Sequence, residues 1–394
     1  MTALAETRAP RRTLASACAA HALHDGLIDS ILVFLPIFQA QFALSFAAVG
    51  FLRATANGTM AAMQIPAGHL AGRIGGRATL VLGTLVAGGG YLAASLSSGL
   101  LTLLAGLALI GLGASVQHPI ASELISGAYA SAQRRMALGI YNFTGDVGKT
   151  ILPPTAALLL TVLDWRIVCA TIFAIALAIG VSLLAALPDE PFGEPSADAS
   201  GASAAITDGR MTPFRVLLAI GVCDSAVRMA FLTFLPFLLT AKGGSIETTG
   251  LALSLIFFGG AAGKFVCAWL GARIGPIATV ILTEFLTAVA IGAVAFLPLA
   301  VALACLPLLG VALNGTSSVL YGSVAELVPE QARRRAFALF YTATIGAGAI
   351  APVVAGLFID RAGLTAMLGL TALVALLVIP LALVLRPAFR ALDA

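Results

Sequence analysis

The chain has 394 residues, of which 60% are hydrophobic and only 10% are charged, and its mean hydropathy is +1.03. Soluble domains carry about 25% charged residues, so this composition excludes a soluble globular protein. The net charge of +4 gives no indication of nucleic-acid binding, and the five cysteines are scattered singly. That scatter indicates neither a zinc site nor a disulfide framework, and we expect no cofactor.

Apolar runs long enough for a helix to cross a bilayer, about 20 residues each, follow one another along the chain. We therefore predict an all-α membrane protein whose twelve transmembrane helices cover 14–41, 47–71, 78–96, 99–124, 136–162, 165–187, 214–241, 247–271, 277–296, 298–324, 335–358 and 363–385. The connector at 188–213 is long, polar and rich in Pro, Ser and Gly, which is typical of a flexible linker. It divides the chain into two six-helix bundles, 1–187 and 214–394.

Arginine is concentrated in the loops on one side of the predicted helices, for example at Arg73, Arg134, Arg273 and Arg334. Because cytoplasmic loops carry the excess of basic residues, we predict that both termini and the linker are cytoplasmic. We expect a monomer that spans the cell membrane many times. Glu123 and Glu326 end their helices on the same side, so the six residues together predict a cytoplasmic gate of salt bridges.

The first predicted helix contains four ionisable residues, His21, His24, Asp25 and Asp29. An aspartate at the centre of a spanning helix costs about 2.5–3.5 kcal/mol, and such residues usually face a protein interior or a water-filled path. At 100° per residue His21, His24 and Asp25 share one face, with Asp29 at its margin. This face is predicted to line a transport path, with His21 and Asp25 binding protons.

Other predicted helices also carry polar groups at their centres. His118 precedes Pro119, which kinks a helix, and histidine titrates near neutral pH, so we add His118 to the proton-coupling residues. Asp146 and Lys149 share a helix face, as do Asp224 and Arg228. The predicted substrate-binding residues are His24, Asp29, Asp146, Lys149, Asp224, Arg228 and Lys264.

The second half of the chain repeats the first at a constant offset of 200 residues. Phe34-Leu35-Pro36 recurs as Phe234-Leu235-Pro236, and Arg73-Ile74-Gly75 recurs as Arg273-Ile274-Gly275. Asp224 then corresponds to His24. A duplication into two parallel six-helix halves is typical of secondary transporters with a site between the repeats.

The loop at residues 68–77 resembles the Gly-x-Leu-Ala-Asp-Arg-x-Gly loop of the major facilitator superfamily, with Gly72 in place of the aspartate. Within that superfamily, His21, Asp25 and the segment 111–119, which ends in His118-Pro119, resemble the fosmidomycin-resistance-like efflux proteins. Asp146 and Lys149 depart from that pattern, since the family is uncharged there. The resemblance implies alternating access and export, with protons as the exchanged ion.

Three other functions are compatible with the sequence. A proton-coupled importer of a small organic anion would use the same residues with the opposite direction of transport. The histidines and aspartates could also ligate a transition metal, which would make the protein a metal or metal-chelate transporter. A sensor or a membrane enzyme is the third alternative, but no motif pairs a nucleophile with a base, so we predict that the protein is not an enzyme.

Overall fold

The computed structural model describes residues 8–188 and 212–390. Within these ranges the chain forms thirteen helical segments and no strand. They are α1 Arg8–Phe42, α2 Phe46–Ile74, α3 Gly76–Ser95, α4 Leu100–Ala114, α5 Gln117–Ala128, α6 Ser131–Leu159, α7 Trp165–Ala186, α8 Thr212–Ala241, α9 Ile246–Ile274, α10 Pro276–Phe296, α11 Leu299–Leu327, α12 Glu330–Ala362 and α13 Leu364–Arg390. The predicted linker falls mostly on residues 189–211, which lie outside the described residues.

Helices α4 and α5 form one predicted transmembrane helix that is interrupted at Ser115 and Val116. Pro119 explains the position of the break, because it has no N–H to donate to the carbonyl of Ser115 one turn earlier. Proline is tolerated there because it falls in the first turn of α5. Counting α4 and α5 together, the described chain has twelve helices, and the all-α fold predicted from the sequence is confirmed.

Ten of these twelve helices are long and apolar enough to cross a membrane. The two that fall short are α2 and α6. Some helices extend beyond the predicted apolar runs, as α6 begins at Ser131 and α12 at Glu330. The added turns carry arginines, which can continue a helix outside the hydrocarbon region without the cost of burying charge.

Clustering of the backbone contacts divides the chain into two compact units, and the first comprises Met1–Ala43 and Thr55–Ser196. In unit 1, α1 packs mainly against α6 and also against α5, while α3 packs against α4 and α7. A small group of buried side chains joins α1, α5 and α6, and it consists of Ala17, Ala121, Ile125, Ala137 and Tyr141. This group supports the site described below.

The second unit comprises Leu44–Ala54 and Ala197–Ala394. Here α8 packs against α12 and α13, α9 packs against α11, and α10 packs against α11 and α13. The contacts of α10 repeat those of α3 in unit 1, as a duplicated sequence would give. The carboxylate of Asp360 accepts hydrogen bonds from the N–H groups of Phe46 and Ala47, at 2.8 and 2.9 Å, and so caps the start of α2.

Candidate functional site

Asp25 of α1 lies at the centre of a group of basic side chains in unit 1. Lys149 Nζ of α6 is 2.9 Å from Asp25 Oδ2. His21 Nε2 is 3.4 Å from the same oxygen, and His118 Nε2 of α5 is 3.8 Å from Oδ1. The structure therefore brings together the three predicted proton-coupling residues and Lys149, and we call these four side chains the Asp25 cluster.

The orientation of His21 is fixed by Tyr141 on α6. His21 Nδ1 is 2.8 Å from the backbone carbonyl oxygen of Tyr141, and a carbonyl only accepts, so Nδ1 carries the hydrogen. The His21 and Tyr141 rings stack, with centroids 4.2 Å apart and an interplanar angle of 20°. The other nitrogen, Nε2, is buried without a hydrogen-bond partner among the described residues. This nitrogen faces Asp25.

Tyr141 is itself held by the first turn of α5. Its hydroxyl donates to the backbone carbonyl of Gln117 at 3.0 Å. The Gln117 side-chain amide lies 3.3 Å from the Tyr141 hydroxyl and donates to the carbonyl of Ala17 at 3.4 Å. These bonds connect α1, α5 and α6 next to His21. Because both Tyr141 and Gln117 are buried, the network fixes the helices whose side chains form the Asp25 cluster.

Two glycines on α6 allow α1 to approach closely. A Cβ atom at Gly145 would lie 2.6 Å from Asp25 Oδ2 and 2.7 Å from His21 Nε2. A Cβ atom at Gly148 would overlap the backbone carbonyl of Ala22. Any side chain at these positions would push His21 and Asp25 away from α6, so the glycines are part of the site.

The Asp25 cluster is closed on one side and open on the other. The side chain of His21 is 3% exposed and that of Asp25 is 14% exposed, whereas Lys149 is 29% and His118 is 44% exposed. Lys149 is also within electrostatic reach of the carboxylates of Asp29 and Asp146. Water or a solute can therefore reach the cluster from the side of His118 and Lys149, while His21 stays shielded.

The cluster contains a possible set of metal ligands. One ligand atom each from His21, Asp25 and His118 lie within 4.8 Å of one another, and two imidazoles with a carboxylate suit a transition metal. However, the ammonium group of Lys149 already contacts Asp25 Oδ2. A metal ion that used this oxygen would have to displace the Lys149 cation.

His24 does not join the Asp25 cluster, although it lies on α1 with His21 and Asp25. Its Nε2 is 2.9 Å from the Thr84 hydroxyl oxygen on α3. That hydroxyl donates to the carbonyl of Leu80, so it accepts from His24 Nε2–H. His24 is 1% exposed and contacts α3, whereas His21 contacts α6.

In unit 2 the predicted residues Asp224 and Arg228 lie on α8. The side chains of Asp224 and of Glu284 on α10 interact with each other, and Arg228 attracts both acids. Next to them is a small cleft lined by Asp224, Ser225, Arg228, Ser317, Tyr321 and Thr344 among others. Lys264, the other predicted cation of this unit, is half-buried on α9 and does not line this cleft.

The predicted gate residues lie at the ends of their helices. Arg73 and Arg273 are in the last turns of α2 and α9, and the Arg273 guanidinium lies 5.2 Å from the ring centroid of Trp269. Arg134 Nε donates to the carbonyl of Tyr129 at 3.2 Å. Glu123 and Glu326 are exposed near the ends of α5 and α11, and the side chain of Arg334 lies outside the described residues.

The site residues predicted from the sequence did not include Tyr141, Gln117, Gly145 or Glu284. The 200-residue repeat contained a signal for Glu284, because it corresponds to Thr84 just as Asp224 corresponds to His24. The two pairs make equivalent contacts in the two units. No local pattern in the sequence marks Tyr141 as a site residue, since it contacts His21 through its backbone carbonyl and through ring stacking.

Relatives of known type support the assignment of a transporter. The chain is 27% identical over 356 residues to the uncharacterized MFS-type transporter YfnC of Bacillus subtilis, covering 88% of this chain and 86% of the relative. It is 25% identical to the "Probable sulfoacetate transporter SauU" of Cupriavidus necator, covering 91% of each chain. The match to the fosmidomycin resistance protein of Escherichia coli has 26% identity but covers only 36% of this chain and 34% of the relative.

Solved structures show the same fold. A bacterial homolog of the human lysosomal transporter Spinster, in an inward-facing and occupied conformation, has a TM-score of 0.77 at 17% identity, covering 96% of this chain and 97% of the other. A peptide transporter has a TM-score of 0.75 at 15% identity, covering 96% of this chain and 95% of the other. The family model for the Major Facilitator Superfamily matches residues 17–220 and 217–392. This chain is therefore a membrane transporter that belongs to the Major Facilitator Superfamily.

Proposed function

We propose that this transporter exports a small polar solute, zwitterionic or anionic, in exchange for protons. The observation that carries the proposal is the Asp25 cluster, in which one carboxylate is contacted by an ammonium group and two imidazoles. Carboxylates and histidines inside transporters commonly act as proton relays. An ionisable group that only stabilised the fold would not need three alternative partners.

Competition at Asp25 explains how an exchange could work. The amino end of a zwitterion and a proton both neutralise the Asp25 carboxylate, so binding of one disfavours binding of the other. Lys149, which is partly exposed, and His118, which is exposed, can hold the acidic end of the same solute. A carrier that binds either the proton or the solute, and reorients with each, is an antiporter.

The same cluster could instead bind a small organic anion together with the proton, and this makes a proton-coupled importer the second candidate. Protonation of the cluster frees Lys149 from Asp25, and the freed cation attracts an anion. Proton and anion then bind together, which gives cotransport. The sulfoacetate relative, named for an anion and matched over 91% of the chain, favours this candidate, whereas the fosmidomycin resistance protein favours export.

The same proposal includes the placement of the chain. We infer a monomer in the cell membrane with both termini cytoplasmic, because arginine is concentrated in the loops on that side. Residues 1–187 and 214–394 would form the two halves that alternate, with 188–213 as their linker. Arg73, Glu123, Arg134, Arg273, Glu326 and Arg334 would close the cytoplasmic side. The remaining predicted polar residues, except the buried His24, would contact solute.

The proposal can be tested with the purified protein in liposomes that contain a pH-sensitive dye. Sulfoacetate and fosmidomycin, each added outside at neutral pH, should identify the transported class. Antiport moves protons out of the lumen as solute enters, and cotransport moves them in. Asp25→Asn should abolish the proton signal, and Glu247→Gln, which changes an exposed acid on α9, should not. Undiminished transport by Asp25→Asn with unchanged pH dependence would show that Asp25 does not couple protons.

A further inference from the structure

Unit 2 contains a pair of neighbouring acidic side chains, remote in sequence from the Asp25 cluster. Asp224 on α8 and Glu284 on α10 interact with each other electrostatically. Asp224 is 4% exposed and Glu284 is 1% exposed. Glu284 Oε2 has no hydrogen-bond partner among the described residues.

Two neighbouring carboxyl groups in a buried site favour a shared proton. Ionised carboxylates only accept hydrogen bonds, so the two groups can bond to each other only when one of them is protonated. Two like charges close together in a buried site also disfavour simultaneous ionisation. A proton bound here would belong to the pair rather than to either residue.

The repeat gives independent support for the contact. At the offset of 200, Asp224 corresponds to His24 and Glu284 to Thr84, and His24 Nε2 lies 2.9 Å from the Thr84 hydroxyl in unit 1. The equivalent positions on the equivalent helices thus interact in both units. In unit 1 the interacting groups are an imidazole and a hydroxyl, whereas in unit 2 both are acids.

Arg228 balances the charge of the protonated pair. One proton leaves the pair with a single negative charge, which the guanidinium on the next turn of α8 neutralises. The groups that act electrostatically on the pair or are acted on by it are Arg228 and Cys223 on α8, Cys267 on α9 and Tyr321 on α11. α12 faces the cleft with Phe340 and Thr344, which do not titrate.

We propose that the Asp224–Glu284 pair is a second proton-binding site, and that it couples proton uptake to the binding of an acidic group beside Arg228. Arg228 lines the cleft with Ser317, Tyr321 and Thr344, and its Nε has no hydrogen-bond partner among the described residues. An anion in the cleft engages Arg228 and weakens its hold on the acids. The acids then retain their proton more strongly, so the anion and the proton support each other.

The proton site is tested without transport by infrared difference spectra of the purified protein between neutral and alkaline pH. Wild-type protein should show a protonated carboxyl band that is lost as the pH rises. Glu284→Gln and Asp224→Asn, which are isosteric and can still donate a hydrogen bond, should each remove it. Glu247→Gln, at an exposed position on α9, should keep the band. A band that survives both substitutions, or is absent from the wild type, would overturn the proposal.

The coupling to an anion rests on the proposed function for the nature of the solute, and it needs a separate measurement. Sulfoacetate added to weakly buffered wild-type protein should cause proton uptake, detected with a soluble pH dye. The uptake should be lost in Glu284→Gln and kept in Glu247→Gln, which changes an acid outside both sites. Uptake lost only in Asp25→Asn would refute coupling at this pair. Lack of transport with a normal infrared band would count against the proposed function alone.

Discussion

Lys149 Nζ lies 2.9 Å from Asp25 Oδ2, and the two residues come from helices that are far apart in the chain. An ion pair in a low-dielectric site is weak evidence for stability, because desolvation offsets much of the attraction. Removing one partner nevertheless leaves the other charge uncompensated. The pair therefore makes α1 and α6 mutually dependent, and this dependence can be measured.

Lys149→Met should destabilise the protein more than the double variant Asp25→Asn with Lys149→Met. Breaking a buried pair costs about 3–5 kcal/mol, and the partial exposure of Lys149 lowers that expected cost. Removing both charges eliminates the unpaired carboxylate, so part of the stability should return. Thermal unfolding in detergent measures this. Equal unfolding temperatures for the two variants would show that Asp25 does not need Lys149 as a partner.

Gly145→Ala should abolish proton-coupled transport while leaving a folded protein. The added Cβ would lie 2.6 Å from Asp25 Oδ2, so Asp25 and His21 must move away from α6. Gly139→Ala on the same helix is the matched control, because a Cβ there meets nothing within 4 Å and alanine favours a helix by about 1 kcal/mol. Transport in liposomes should be normal for the control. Equal activity of both variants would contradict the close packing.

The sequence predicted the helices and much of the Asp25 cluster for identifiable physical reasons. The length of each apolar run determines where a helix can cross a bilayer, and helical periodicity places His21 and Asp25 on one face. The repeat added Asp224 as the position in the second half that corresponds to His24. These features depend on residues close in sequence or on a constant offset, so they can be read without coordinates.

Other features depend on how one helix is rotated against another, which periodicity does not determine. His24 and His21 were predicted to share a polar face, but His24 bonds to Thr84 on α3 and His21 to Tyr141 on α6. Lys149 was predicted to contact solute, and the structure also places it on Asp25. The Asp224–Glu284 contact likewise arises from the packing of α8 against α10.

Thr84→Val should destabilise the protein without changing transport. His24 Nδ1 already has no hydrogen-bond partner among the described residues, and the substitution would leave Nε2–H unpaired as well. An unsatisfied buried donor costs about 1–3 kcal/mol. Thermal unfolding should show the loss, while solute uptake and its pH dependence should stay at wild-type values. A changed pH dependence would instead indicate that His24 takes part in coupling.

Wild-type protein should bind Zn²⁺ weakly at neutral pH, and Lys149→Ala should bind it more tightly. The three possible ligands lie within 4.8 Å of one another, but the Lys149 ammonium group occupies Asp25 Oδ2 in the wild type. Removing that cation frees the carboxylate, and we expect at least a tenfold gain in affinity, which corresponds to about 1.4 kcal/mol. Isothermal titration calorimetry measures this gain. Tight binding by the wild type would favour the metal transporter instead.

His21→Asn should remove the dependence of solute exchange on pH near neutrality. The asparagine amide can still donate to the carbonyl of Tyr141, as His21 Nδ1 does, but it offers no titratable Nε2. In the proposed antiport, a proton bound at His21 strengthens its hold on Asp25 and competes with the solute, so wild-type exchange at equal pH on both sides should slow as the pH falls. Exchange by His21→Asn should stay level across this range, and His69→Asn, which changes an exposed histidine on α2, should behave like the wild type. If His21→Asn kept the wild-type profile, the proton would have to bind elsewhere, and the same measurement on His118→Asn would show whether His118 provides that site.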